Sequence, residues 1–239
     1  MKKISILSLL LFAIISCTND SSSEGNVTLK ATAVSSTGKT SLTARTSATS
    51  TLVITNFKIN IGNIKFETDM EDMMHDSDPM HEDVKLMGPF LLDLLDPNKT
   101  LTQIITSVNV PNAKYEEIEF KFEKSILPGE MEGRTFLIKG TINGKNFMIW
   151  SGKDAELEMD FADPTKDFTV SGNDLSLNIK IQLDALMVKL TSFANQGLLL
   201  DTDGDGVIEI STDNDDGHHD FGEQIKALLE QESDLDDKD

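Results

Sequence analysis

Hydrophobic and polar side chains alternate along three stretches of this chain. Phe57, Ile59 and Ile61 are separated by Lys58 and Asn60, and Ile118, Phe120 and Phe122 by Glu119 and Lys121. The longest run, Leu175, Leu177, Ile179, Ile181 and Leu183, carries Ser176, Asn178, Lys180 and Gln182 between. Successive side chains of a strand point to opposite faces, so each stretch predicts a strand with one buried face. Residues 136–142 and 145–150 are further β-rich runs flanking Asn143-Gly144, a pair that tolerates the positive φ of a type I′ turn and predicts a hairpin. Gly88-Pro89, Asp96-Pro97, Pro128-Gly129 and Asp163-Pro164 punctuate the rest as turns.

No strand–helix–strand rhythm is visible, so the pattern predicts a mainly β protein, an antiparallel sandwich occupying residues 52–200. Helix is expected only near the end. Residues 186–193 form one short candidate, and Phe221, Ile225, Leu228 and Leu229 share a helical face, with Asp220 and Glu223 placed as N-cap and capping-box partner. Before the sandwich, residues 26–51 are a Ser/Thr-rich first segment, of which 35–51, with few large apolar side chains, read as a loop or loosely ordered stretch, and residues 17–25 a polar tether.

One segment carries a family resemblance. Val108-Asn109-Val110-Pro111-Asn112-Ala113-Lys114-Tyr115-Glu116-Glu117-Ile118 resembles the V-x-V-P-x-G-x-Y-x-x-I signature of envelope lipoproteins with a prealbumin-like sandwich, Ala113 standing where those sequences usually carry glycine. The strand near residues 54–66 and Leu91-Leu92-Asp93-Leu94-Leu95 look similar to the same group, so the resemblance covers about residues 52–183. It implies a prealbumin-like fold and an envelope address, and no activity.

The N-terminus predicts the same address. Lys2 and Lys3 precede an apolar run of about a dozen residues, too short for the roughly 20 that span a bilayer, so residues 1–16 read as a signal peptide. Ile14-Ile15-Ser16-Cys17 resembles a lipobox, which implies cleavage before Cys17 and lipidation of the sole cysteine. In enteric bacteria an aspartate after that cysteine retains lipoproteins at the inner membrane; here the position is Thr18, so the resemblance implies the outer membrane.

Charge narrows the partners. The formal net charge is −20, and it becomes −22 once residues 1–16, with two lysines and no acid, are removed. Such a field repels nucleic acid and anionic headgroups and attracts cations and basic surfaces. Membrane contact is therefore expected through lipid on Cys17, with a protein or glycan partner in the envelope. Residues 201–239, an acidic tail, hold fifteen acids against Lys226 and Lys238.

Catalytic sets are thin. His81-Glu82 opens like a zinc-protease motif, but Lys85 stands where the second histidine belongs; Gly144-Lys145 is followed by Asn146, which makes no phosphate loop. The expectation is a protein without enzymatic activity. Two metal candidates stand out. Met70, Met73, Met74, His75, Met80 and His81 gather soft to borderline ligands suited to copper(I), and resemble clusters of periplasmic copper-handling proteins. Asp201-Thr202-Asp203-Gly204-Asp205-Gly206-Val207-Ile208-Glu209 is a D-x-D-x-D-G string resembling the calcium loops of EF-hands, dockerins and thrombospondin repeats. Alternate carboxylates of a tight loop converge on one hard cation, the Val207 carbonyl adds a ligand, and Ile208 packs inward. Asp201, Asp203, Asp205 and Glu209 take positions one, three, five and nine. Thr212 replaces the bidentate acid at twelve, leaving Asp213, or else Asp215 or Asp216, as substitute. The expected role of calcium is structural, docking the last helix on the sandwich.

Three functional classes follow: a binding or structural envelope module stabilised by calcium, a copper-handling protein, and an assembly subunit. The last rests on fimbrillin-type pilins, lipoproteins with prealbumin-like sandwiches matured by cleavage after an arginine, a place that Arg45 can take.

Overall fold

In a computed structural model the chain is described at residues 23–34, 42–45, 51–68, 83–95, 102–160, 168–213, 215–231 and 233–237. It is mainly β, with two sheets and two helices. Sheet A runs β13 (Ser233–Asp237), β11 (Leu175–Gln182), β1 (Glu24–Val34), β5 (Thr102–Pro111). Sheet B has the path β10 (Phe168–Thr169), β6 (Lys114–Phe122), β3 (Thr51–Thr68), β7 (Phe136–Ile142), β8 (Lys145–Ser151), β12 (Val207–Ser211). Off it, β2 (Leu42–Arg45) and β4 (Val84–Asp93) pair with β3, and β9 (Ala155–Asp160) pairs with β6. Among the described residues the strands pair antiparallel except that β1 runs parallel to β11, and β12 parallel to β8.

Alternation decides which face each strand buries. Val27, Leu29 and Ala31 of β1 and Leu177, Ile179 and Ile181 of β11 meet Phe57, Ile59, Ile138 and Ile149 of sheet B in a single core. Transfer of each of these valine, leucine, isoleucine and phenylalanine side chains from water contributes about 1.5–3 kcal/mol. β3 is one strand of 18 residues whose inward positions slip twice, from Ile54 to Phe57 and from Ile61 to Ile64. Each slip of three coincides with a register shift against its neighbours, where a β-bulge inserts one residue and restores the inward phase.

The Asn143-Gly144 hairpin forms as expected, with φ of 53° and 80° and Ile142 facing Lys145. Other expectations are corrected. Residues 24–25, expected in the tether, and 26–34, expected in the segment before the body, form a strand inside sheet A, and the body begins there instead of near residue 52. Val27, Leu29, Ala31 and Ala33 alternate, but two of the four are alanines and the strand adjoins Ser/Thr-rich sequence, which dilutes the signal. Gly88-Pro89 lies inside β4, not at a turn. Pro89 is exposed there, on a strand that among the described residues pairs only with β3, where a missing N–H costs no ladder bond. A Cβ on Gly88 would sit 2.3 Å from the Ile61 carbonyl oxygen, so the close approach of β4 to the β3 bulge requires glycine. Asp96-Pro97 and Asp163-Pro164 lie outside the described residues.

The V-x-V-P segment turns the corner between sheets, since β5 belongs to sheet A and β6 to sheet B. Tyr115 is fully buried, donates its hydroxyl to the Pro111 carbonyl at 3.0 Å, and stacks on Phe168 at 5.2 Å. Burial pushes its pKa up to about 12.

Candidate functional site

Everything after β11 builds the setting of the acidic loop. Leu183 leads into α1 (Asp184–Asn195), which buries Leu186, Met187, Leu190 and Phe193. Gly197 adopts φ of 68°, and the Leu198 and Gly197 amides donate to the Phe193 and Ala194 carbonyls, a Schellman ending that stops the helix. Leu199 is buried, and the chain then enters the loop, returns as β12 at the edge of sheet B, makes a 3-10 turn at Asp215–Gly217 and continues as α2 (His219–Gln231).

α2 is docked on the sandwich. Ile225 and Leu229 are buried, Phe221 stacks on Phe193 with centroids 4.2 Å apart, and a Cβ on Gly222 would lie 2.4 Å from the Ser211 backbone. The capping box expected from Asp220 and Glu223 does not form. The helix begins one residue before Asp220, and Glu223 accepts instead from the Lys153 ammonium at 2.5 Å. That contact is what holds the Glu223 carboxyl below its ordinary pKa.

The loop is shaped by its own aspartates. Asp201 accepts from the Gly204 and Gly206 amides at 2.7 and 3.0 Å, Asp203 from the Asp205 amide at 3.1 Å, and Asp205 from the Val207 amide at 2.8 Å. Gly204 and Gly206 take φ of 78° and 92°, which only glycine adopts without strain. The three carboxylates offer ligand oxygens within 4.8 Å of one another. This donor set fits a hard cation such as calcium, which takes about six to eight oxygens at about 2.3–2.6 Å. Val207 opens β12, and Ile208 is buried as its place in the string requires.

Glu209 stands beside the same charges. Burial raises its pKa, and Asp215, Asp205, Asp216 and Asp203 push it in the same direction. Thr212, at position twelve, is buried with its hydroxyl 3.2 Å from Ser151 Oγ, so it serves packing. Asp213 stands apart, its Oδ2 about 3.1 Å from where a Cβ on Gly152 would be.

Two residues outside the nine-residue string close the loop, one of them Asp216, a candidate substitute for position twelve. Asp216, at φ of 50°, accepts at one oxygen from the Thr202 amide (2.7 Å) and hydroxyl (2.8 Å) and at the other from the Glu209 amide (2.8 Å). Burial opposes its ionisation, but these bonds outweigh burial and hold its pKa below the ordinary value. His218, 5% exposed, has Nδ1 2.7 Å from the Glu209 carbonyl and Nε2 3.3 Å from the Leu200 amide. Nε2 also lies 3.2 Å from the Leu198 carbonyl, so the ring bridges β12 to the chain entering the loop. Asp-Gly-His-His in an acidic tail carries only a weak signal for such a clamp, because nothing in the spacing says which carboxylate or imidazole turns inward.

The remaining site candidates, Cys17 and the loop of Met70, Met73, Met74, His75, Met80 and His81, lie outside the described residues. No helix among the described residues is long and apolar enough to cross a membrane.

Fold and site together define a mainly β protein of two sheets whose C-terminal helix is tied down beside an aspartate-rich loop. Comparison with family models, with curated proteins and with solved structures gives no match.

Proposed function

We propose that the chain is a non-enzymatic lipoprotein of the outer membrane, held by lipid on Cys17, whose β-sandwich is a binding or structural module stabilised by calcium. The observation that carries this reading is the continuity of the loop with both sheets. Asp201–Asp205 lead directly into β12 of sheet B, and α2 leads on to β13 of sheet A. A cation neutralising the loop therefore acts on the closure of the whole sandwich, and the role is structural. Residues 18–23 separate Cys17 from β1, a tether that reaches at most about 20 Å at full extension, so the module works close to the membrane surface. Cys17→Ser is expected to abolish labelling of the protein in cells fed a fatty-acid probe, and equal labelling of wild type and variant would refute the anchor. Calorimetric titration of the detergent-solubilised chain with calcium tests the rest: saturable binding on the order of 10⁻⁴–10⁻³ M is expected, and no heat of binding at millimolar calcium would remove the site.

A second reading, a fimbrillin-like subunit, is favoured by the place of β1. This strand lies between β11 and β5, and a cut after Arg45 would separate it from the remaining chain. Its loss would open a strand-wide gap that an extended segment of another copy fills by β-strand addition. Surface protein beginning at Thr46 and running as high-mass polymer is the expected finding on this reading; intact lipidated monomer alone would exclude it.

A further inference from the structure

Between β6 and β7 the chain makes an excursion, residues 123–135, over the outer face of sheet B. It is pinned there: the Glu123 amide donates to the Asn60 carbonyl and the Asn60 amide to the Thr135 carbonyl, Met131 is buried, and the Arg134 guanidinium lies 4.9 Å from the centre of the Trp150 ring. Against the sheet it leaves a cleft of about 270 Å³ whose charged walls are Lys58, Asp93 and Glu130. Lys58 and Asp93 face each other in register on β3 and β4.

Charge in the cleft is shared unevenly. Glu130 takes Lys58 at 2.8 Å on one oxygen and Lys139 at 2.5 Å on the other. These lysines, Lys139 foremost, draw its pKa down to about 2. Lys58 thus stands 3.8 Å from Asp93 Oδ2, which also accepts from Asn56 Nδ2 at 3.2 Å. The other oxygen, Asp93 Oδ1, is buried with no hydrogen-bond partner among the described residues. An acceptor left so is poorly compensated, and a cationic donor is the group that best offsets the charge of its carboxylate. The cleft mouth is apolar. Leu91 and Leu127, 43% and 40% exposed, line it, and the neighbouring Ile126 is 81% exposed. Exposed aliphatic side chains gathered at a concave site mark a contact surface.

We propose that this cleft binds an ammonium or guanidinium group carried on an aliphatic stem, with the head at the Asp93 carboxylate and the stem along Leu91, Leu127 and Met131. The net charge of −20 draws such ligands toward the protein. Free alkylamines and the lysine or arginine side chains of another polypeptide share this chemistry.

Titrating the detergent-solubilised chain with agmatine, and separately with an end-blocked glycine peptide carrying one arginine, tests the assignment. Saturable binding is expected, weaker by on the order of tenfold in Asp93→Asn, which keeps the shape of the side chain while removing its charge. Leu127→Ala, at the exposed rim, is expected to weaken binding several-fold while leaving the melting temperature unchanged. Binding of agmatine alone assigns the cleft to a free amine, and binding of the peptide assigns it to a polypeptide side chain. The proposal is overturned by no saturable binding of either probe, by equal binding of an uncharged alcohol of the same length, or by wild-type affinity in Asp93→Asn.

Discussion

Tyr115→Ala is expected to lower the unfolding free energy by about 3–5 kcal/mol, the cost of deleting a large buried aromatic whose surroundings relax only in part. For a chain of this size that is a fall in melting temperature of about 10 °C. The residue sits where β5 of sheet A hands over to β6 of sheet B, stacked on Phe168 and edge-on to Phe66 at 5.9 Å. Its loss therefore opens a void at the corner joining the two sheets. Tyr115→Phe separates packing from bonding, since only the hydroxyl donated to the Pro111 carbonyl is lost, at a cost of about 1 kcal/mol. The two variants also differ from wild type in alkali. Because burial raises the tyrosine pKa from 10.0 to about 12, the folded state keeps a proton that the unfolded chain releases. That part of the stability is whole below pH 10 and is lost as pH rises toward 12. Thermal melts across this range should show the alkaline loss in wild type and its absence in Tyr115→Phe. A Tyr115→Ala protein as stable as wild type would mean that the corner does not hold the sheets together.

Calcium is expected to produce the second largest effect. At a concentration a hundredfold above the dissociation constant, binding to the folded state alone adds about 2.7 kcal/mol, a rise in melting temperature of about 5–10 °C. Asp203→Asn/Asp205→Asn should abolish the rise, because each asparagine still accepts the turn bond that its aspartate makes to the Asp205 or Val207 amide while the charge that holds the ion is gone. Asp201 is a poorer choice, since it organises the Gly204 and Gly206 amides. The increment should shrink on acidification, as ligands must be ionised to bind. The raised pKa of Glu209 brings the onset of that loss above the ordinary carboxylate range. In chelator this group acts with the opposite sign: a carboxyl with a raised folded pKa favours the fold when protonated, and that contribution is lost as pH rises through its folded value. Melts that calcium does not shift, or a double variant that responds like wild type, would leave the loop an acidic turn and nothing more.

Period-two alternation predicts β3, β6 and β11 because burial of one strand face is a local instruction, written in every second side chain and independent of what lies opposite. The Asn143-Gly144 hairpin and the D-x-D-x-D-G loop were legible for the same reason: positive φ and alternating carboxylates are properties of a few consecutive residues. β1 was missed although its alternation is present, since alanine and threonine bury or expose too little to stand out from a Ser/Thr-rich neighbourhood. The two slips of phase in β3 show in the sequence as apolar spacings of three, but pairing with β4, β6 and β7 is what makes them bulges in one strand instead of breaks between several. Tertiary structure alone decided the parallel pairings of β1 with β11 and β12 with β8, which join segments far apart in the chain. It also decided that Asp216 and His218 clamp the loop while Thr212 turns to Ser151, and that Asp93 meets an excursion arriving more than thirty residues later. A side chain's partner across such a distance depends on how the sheets close, and no short window of sequence carries that information.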